Sequence, residues 1–409
     1  MNRQAIFSFK ELAPCFLAIF IDILGFSLVY PLMTALFTSH SSFTANLSVE
    51  DRYWFLGLSF VLYPLFMFFG SSFMGDLSDF LGRKKVLMLC MAGLTGGSLL
   101  MAIGIKWDSL PLLLTGRALS GLMAASMPTA LAAIVDLSRP DNKVIHMSFV
   151  TFVQSIGFVI GPILGGVFSD PHVFTFFDFS LPFFLSSALS CIAFFWLKIS
   201  FIEPDEKKKK FQFDPLRIFQ VFIRAACHAK IRSLTISFFL MQAGIALYLQ
   251  LILLFFKSKY HYPTSLMGMF NAFLGIWFGI GLLIILPYVS KRMRIERLAT
   301  YCLLITATAQ LFSSLAASQF LLWILGIFLA TSIQIGFSAM LSSFSNAVDA
   351  KSQGWAMGIT GSAIALSFTI TGFSTNLVPY FGVKGIIFIG AILLFISALI
   401  MERYCRKLA

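Results

Sequence analysis

Gly75-Asp76-Leu77-Ser78-Asp79-Phe80-Leu81-Gly82-Arg83-Lys84-Lys85 is a charged, turn-forming stretch set between two apolar runs, 54–74 and 84–105. Gly75 permits close helix packing and Gly82 permits a sharp turn with positive φ. Asp79 and Arg83 bring opposite charges to the point where two helices end. Each flanking run is close to the roughly 20 residues that cross about 30 Å of hydrocarbon at about 1.5 Å per residue. Such runs recur along the chain and predict about twelve spans. They lie near 11–35, 54–74, 84–105, 110–136, 143–168, 180–200, 233–257, 265–289, 297–317, 319–347, 352–381 and 383–404, numbered helix 1 to helix 12.

Composition agrees. With 58% hydrophobic residues, 12% charged and 48 Phe in 409 residues, the chain holds more apolar surface than a soluble core hides. It reads as an all-α membrane protein. The first run carries Asp22 in its middle and is followed by no small-residue cleavage site, so it is expected to stay in place rather than act as a signal peptide. Basic residues fall unevenly. One side collects Arg3, Lys10, Arg83 to Lys85, Arg139, Lys143, Lys207 to Lys210, Lys291 to Arg294, Lys351, Arg403, Arg406 and Lys407; the other holds Arg52, Lys106, Lys257, Lys259 and Lys384. Cytoplasmic loops retain Lys and Arg, which predicts a multi-pass protein of the cytoplasmic (inner) membrane with both termini in the cytoplasm. The net charge of +12 is this topology signal plus affinity for anionic lipid, and no nucleic-acid partner is expected. Cys15, Cys90, Cys191, Cys227, Cys302 and Cys405 form no CxxC pair and the five His are dispersed, so neither a disulfide framework nor a metal site is expected.

The polar stretch beginning Glu203-Pro204-Asp205-Glu206 and Lys207 to Lys210 divides the chain near its middle. It predicts a six-helix bundle over 1–200, a cytoplasmic linker over 201–232 and a second bundle over 233–409. An internal repeat supports the division: at a shift of about 210, Thr115-Gly116-Arg117 falls on Leu325-Gly326-Ile327 and Met147 on Met357. Asp79 to Arg83 falls near Ser290 to Arg294. Duplicated bundles of this kind place a central site at their interface.

The turn quoted first resembles the loop signature of the major facilitator superfamily, G-x-L-[AS]-D-[RK]-x-G-R-[RK], departing from it at Phe80. The resemblance implies the major facilitator fold, twelve transmembrane helices in two six-helix bundles. It also implies a latch of Gly75, Asp79, Gly82 and Arg83, in which the aspartate contacts the start of helix 11 and the arginine pairs with an acid at the end of helix 4. Asp136 stands where that acid belongs. Helix 4 carries Arg117-Ala118-Leu119-Ser120-Gly121, similar to the family's R-x-x-x-G. A guanidinium at that depth costs a few kcal/mol unless it meets water or a partner, so a functional role is the default, against snorkelling to the interface. Helix 5 carries Gly157, Gly161, Pro162, Gly165 and Gly166 in the pattern G-x-x-x-G-P-x-x-G-G, which resembles the antiporter signature of drug–proton exchangers, although the earlier glycine is Ser148 here. Small residues at this spacing clear one helix face and the proline is expected to kink the helix. A packing face alone is the structural alternative.

Asp22 is the one acid in the middle of a predicted span. An ionised aspartate there costs about 2.5–3.5 kcal/mol on insertion scales. Burial disfavours its charge while a nearby Arg117 favours it, and a carboxylate balanced between the two suits a proton carrier. A fixed Asp22–Arg117 ion pair is the alternative. An Asp followed by Gly25 and then by Tyr30-Pro31-Leu32 is similar to tetracycline-efflux-type antiporters. Buried charge is sparse in the second half, where Ile327 replaces the arginine, so coupling is expected in the first. Neutral polar side chains remain for substrate: Tyr30, Gln154, Gln242, Gln250, Asn271 and Gln334, with Asn376 beside them; about half are expected to face a cavity, and interhelical hydrogen bonding is the alternative for the rest.

The expected function is proton-coupled export of a small, partly apolar organic compound by alternating access, from a monomer driven by the proton gradient with no cofactor. Proton-coupled movement of an anionic metabolite or siderophore bound at Arg117 is the alternative. An enzyme is not expected, because no convergent acid–base or metal residues share a depth.

Overall fold

The computed structural model describes residues 9–39, 41–124, 126–138, 140–203, 229–349 and 352–408. Arg3, Arg139, Lys207 to Lys210, Cys227, Lys351 and most of the expected linker lie outside them, as do the side chains of Lys10 and Lys143. The described chain is helical throughout its membrane-crossing length. Helix 1 runs Phe9–Ser27 and, after a turn at Leu28, Val29–Thr38. Helix 2 is Val49–Leu81, helix 3 Arg83–Lys106, helix 4 Leu110–Met123 with Ser126–Leu137, helix 5 Pro140–Val167 and helix 6 Leu181–Ser200. Helix 7 is Ala229–Tyr260, and helix 8 is Thr264–Ile280 continued by Gly281–Ile285 and Leu286–Val289. Helix 9 is Ile295–Leu315, helix 10 Gln319–Asn346 and helix 11 Gln353–Gly372 with Phe373–Leu377. Helix 12 lies within Val378–Leu408, from which a sharp turn at Gly382 (φ +65°) separates it from helix 11.

Several helices outrun their predicted spans, because apolar length measures the hydrocarbon while helices extend into the head-group layer. Helix 2 starts early for a local reason: Ser48 caps it, accepting from the Asp51 amide at 3.1 Å, with Glu50 and Asp51 in its first turn. Pro162 does not end helix 5, which stays helical through Val167, so the expected kink is not a break. Helix 8 does change its winding ahead of a proline. Pro287 has no amide proton and its ring crowds the carbonyl four residues back; Gly281–Ile285 answers with one π-turn, in which the Leu286 amide bonds to the Gly281 carbonyl.

Helix 1 packs on helices 4, 5 and 6, helix 3 on 4 and 6, and helix 2 on 4. Adding six to each number gives the second bundle: helix 7 packs on 10, 11 and 12, helix 9 on 10 and 12, and helix 8 on 10. The bundles meet through helix 5 on helix 8 and helix 2 on helix 11, pairs that the same shift exchanges. Polar side chains join helices within each bundle. Gln310 donates to the carbonyls of Gly244 and Ile387 at 3.0 and 3.1 Å, tying helices 7, 9 and 12, and Ser237 and Ser397 exchange hydrogen bonds between helices 7 and 12.

The two faces differ. The basic face carries the helix 2–3 turn, the helix 8–9 turn and Arg406. On the opposite face helices approach at backbone contact: a Cβ on Gly165 would strike the Leu28 carbonyl, one on Gly57 would meet the Gly372 carbonyl at 2.9 Å, and one on Gly372 the Val61 amide at 3.1 Å. Toward the basic face Gly75, Gly358 and Gly361 look onto open space. The bundles therefore meet at backbone contact on the opposite face, through Gly57 and Gly372 and through Gly166 and Gly268, and make no such contact at Gly75, Gly358 or Gly361 on the basic one.

Candidate functional site: a buried aspartate and arginine beside an aromatic floor

Asp22 is 4% exposed on helix 1. Its Oδ2 accepts a hydrogen bond from Ser126, at the start of the second segment of helix 4, while its Oδ1 has no protein partner. Arg117, 3% exposed on the first segment, donates from Nε to the Ser59 carbonyl of helix 2 at 2.9 Å and lies over the Tyr63 ring, 4.8 Å from its centroid. Carbonyl and π-face partly replace the water a cation loses at this depth. Among the described residues Asp22 and Arg117 form no ion pair with each other, so the fixed pair is not what holds them. Both line a small pocket in which Tyr63, Ser98, Ser120 and Ser186 stand among apolar side chains such as Leu94 and Phe183, a space of about one water molecule. Ser120 Oγ is also buried without a partner.

Beside this pair the bundles share a cluster of rings. Phe26 of helix 1 lies 5.5 Å from Tyr30, 5.7 Å from Tyr63, 6.4 Å from Phe158 of helix 5 and 5.7 Å from Phe368 of helix 11. Phe158 in turn lies 6.0 Å from Phe278 of helix 8. Five helices from both bundles thus converge on one aromatic floor, a surface suited to stacking against a planar or apolar group.

The other named residues are dispersed. Tyr30 joins the floor and packs 5.4 Å from Phe60. Gln250, 1% exposed, donates to the Phe368 carbonyl at 3.4 Å, which makes it a tie between helices 7 and 11 in this conformation. Gln242 is buried on the same helix. Gln154 is half-buried and reaches the Met127 sulfur at 3.7 Å, and Gln334 is half-buried on helix 10. Asn271 has a buried carbonyl oxygen without a partner. Asn376 stands at the opposite face, beside Gly57. Gly157, Gly161 and Gly165 do form one face of helix 5, lying on Ile23, Leu24 and Leu28 of helix 1, and Ser27 donates to the Gly157 carbonyl at 3.1 Å.

At the basic face Arg83 holds Asp79 at 3.0 Å and Asp136 at 3.3 Å, the second joining the helix 2–3 turn to the end of helix 4. Gly82 turns with φ +103°. Close packing of Gly75 is the expectation that this conformation does not meet, because it looks onto open space. Glu203 is a partner that sequence reasoning left in the linker: its carboxylate accepts from the Arg83 and Lys84 amides, the latter at 2.9 Å, and so caps helix 3. Tyr63, Ser59 and Ser126 were missed too, since a hydroxyl or ring at one depth in different spans leaves no local pattern.

Comparisons with known proteins agree with this architecture. The Major Facilitator Superfamily profile matches residues 15–372. The class C tetracycline resistance protein of Escherichia coli is 25% identical over 86% of this chain and 85% of its own length. The class D protein of Salmonella ordonez is 23% identical over 83% and 82%. In fold, the chain is similar to the human organic anion transporter MFSD10, with a TM-score of 0.71 at 16% identity over 96% of this chain and 99% of that one, and to a D-xylose–proton symporter, with 0.78 at 14% over 97% of each. With twelve helices among the described residues in two matching bundles, a polar and aromatic cluster beside their interface and a family match across most of its length, the chain is a membrane transporter, not an enzyme, and belongs to the major facilitator superfamily.

Proposed function

We propose that the chain exports a small, partly apolar organic compound from the cytoplasm in exchange for protons, with the basic face cytoplasmic and the protein in the cytoplasmic membrane. The carrying observation is that Asp22 is buried beside the shared aromatic floor with one oxygen unpartnered and no cation paired to it. A carboxylate so placed can exchange a proton in step with what occupies the floor, and because an ionisable group at this depth is costly, a functional role is its default reading. The gradient suffices as drive, since one charge crossing 100 mV yields about 2.3 kcal/mol. The tetracycline resistance relatives, aligned along most of their length, support an organic substrate of this kind. No cofactor is required, and the working unit is a monomer.

The test is ligand-dependent proton movement in proteoliposomes, with tetracyclines, siderophores and carboxylates run against wild type and Asp22→Asn. Substrate is expected to move opposite to protons, with Asp22→Asn abolishing that coupling. Movement unchanged in the variant, or in the direction of the protons, sinks the exchange reading. A second reading, carriage of an organic anion, is favoured by one observation: Arg117 is not neutralised by Asp22 and leaves a buried cation beside the floor. Transport of carboxylates alone in the same assay selects it.

A further inference from the structure

Helix 5 ends on the opposite face in Gly166-Val167-Phe168-Ser169-Asp170, and helix 2 ends on the basic face in Gly75-Asp76-Leu77-Ser78-Asp79. The two segments share a glycine, a serine three residues on and an aspartate after it. At helix 5 the geometry of this segment can be followed atom by atom. Ser169 turns its hydroxyl back onto the Gly165 carbonyl at 2.6 Å. Asp170, 2% exposed, reaches into the other bundle: its Oδ2 accepts from the Ser265 amide at 3.2 Å and the Ser265 hydroxyl at 2.7 Å, while Oδ1 accepts from the His172 amide at 3.0 Å. Ser265 is the second residue of helix 8, so the carboxylate lies on the free amides and positive end of a 17-residue helix segment. Gly166 lets it come so near. A Cβ there would stand 2.7 Å from the Thr264 carbonyl oxygen and 2.8 Å from the Gly268 Cα.

We propose that Asp170 is the latch of the opposite face, a positioning residue that holds helices 5 and 8 together while the basic face is open and must release helix 8 before the opposite face can part. The inference rests on the alternating-access reading but requires neither a substrate nor proton coupling. Burial works against the charge of Asp170, but the hydrogen bonds from Ser265 and His172 outweigh it and hold its carboxyl below the usual range. The titratable groups that act on it or feel it are His172 in its own loop and Lys257 at the end of helix 7. Helix 8 supplies a hydroxyl and an amide, neither of which titrates in the physiological range.

Spin-label distances across the opposite face test it in nanodiscs without substrate or gradient. The labels are placed at Trp107→Cys and Phe320→Cys, both exposed sites, in a chain whose native cysteines are replaced. Asp170→Ala is expected to raise the long-distance population about tenfold or more, the scale of losing charge-assisted hydrogen bonds. Gly166→Ala should move it the same way by obstructing closure, and Ser265→Ala, which removes one donor, should do so less. If Asp170→Ala does not yield folded protein, Asp170→Asn replaces it, keeping the size and losing the charge. A folded Asp170 variant with the wild-type distribution overturns the latch. It leaves the proton-exchange reading untouched, just as uncoupled transport in the Asp22→Asn assay leaves the latch untouched.

Discussion

The two bundles share a contact plan and differ in what they bury. Shifting helix numbers by six maps one set of packing pairs onto the other, yet Asp22 and Arg117 are both in the first bundle, while among the described residues the second buries no Asp, Glu, Lys or Arg. Its interior polarity is neutral: Gln242, Gln250 and Gln310, with Ser237 and Ser397. A duplicated scaffold supplies the symmetry that two-sided access needs. On the proposed exchange reading, charge placed in only one copy separates the coupling chemistry from the mechanics, because the neutral bundle can rock without carrying a buried ion through a change of surroundings.

The comparison is broken most severely by giving the second bundle the charge it lacks. Ile327 of helix 10 matches Arg117 at the repeat shift, and among the described residues the second bundle buries no acid to meet a cation there. Ile327→Arg is expected to cost about 2.5–3.5 kcal/mol, read as a lowered thermal midpoint in detergent. A midpoint equal to wild type would mean that helix 10 can house a cation as helix 4 does. A smaller effect sharpens the neutral side. Gln310 ties three helices through uncharged hydrogen bonds, and Gln310→Ala is expected to cost about 0.6–1.7 kcal/mol, the range for such bonds in membrane bundles. A loss far beyond that range would assign it more than a packing role.

The smallest effect concerns acid. Asp170 and Asp178, both in the loop after helix 5, are held below the usual carboxylate range. Burial opposes this in each, and hydrogen bonds from Ser265 and His172 to the first, and from Lys106 and Ser180 to the second, overcome it. The matching turn between helices 11 and 12 has no acid. A depressed folded pKa gives stability that is fully present above the unfolded value near 3.9 and lost as pH falls through the lower, folded value. The thermal midpoint should therefore stay flat between pH 7 and pH 5 in respect of these groups and decline only below about pH 4. Asp178→Asn should remove part of that decline, and an unchanged acid limb would show that the loop does not set it.

Much of the fold was legible because lipid imposes a simple rule: apolar runs of sufficient length become helices, and twelve of them follow from counting. Helix ends were less so. Where Ser48 starts helix 2 or Gly382 divides helix 11 from helix 12, a cap or a turn decides, not hydropathy. At the site, Asp22 and Arg117 stood out because charge is rare at that depth, and the Gly157–Gly161–Gly165 face because its spacing is helical. Gln250 read equally as a substrate contact or a tie between helices, and the structure holds it on helix 11; a glutamine looks the same in sequence whether it faces substrate or a backbone carbonyl. Glu203 and Asp170 escaped notice for a related reason: each caps a helix remote in sequence.

The second segment of helix 4 has a mechanical reading. Ser126 begins the second segment with its hydroxyl on Asp22, and Asp136, one residue from the end at Leu137, grips Arg83 at 3.3 Å. The helix between those two handholds is a rod of about 15 Å. A tilt of about 10° pivoting at Ser126 displaces the far end by about 3 Å on that length, as much as the grip itself spans. On the proposed reading, a change of one proton at Asp22 is thereby within reach of the basic face without any alteration in the rod, which needs only to stay stiff.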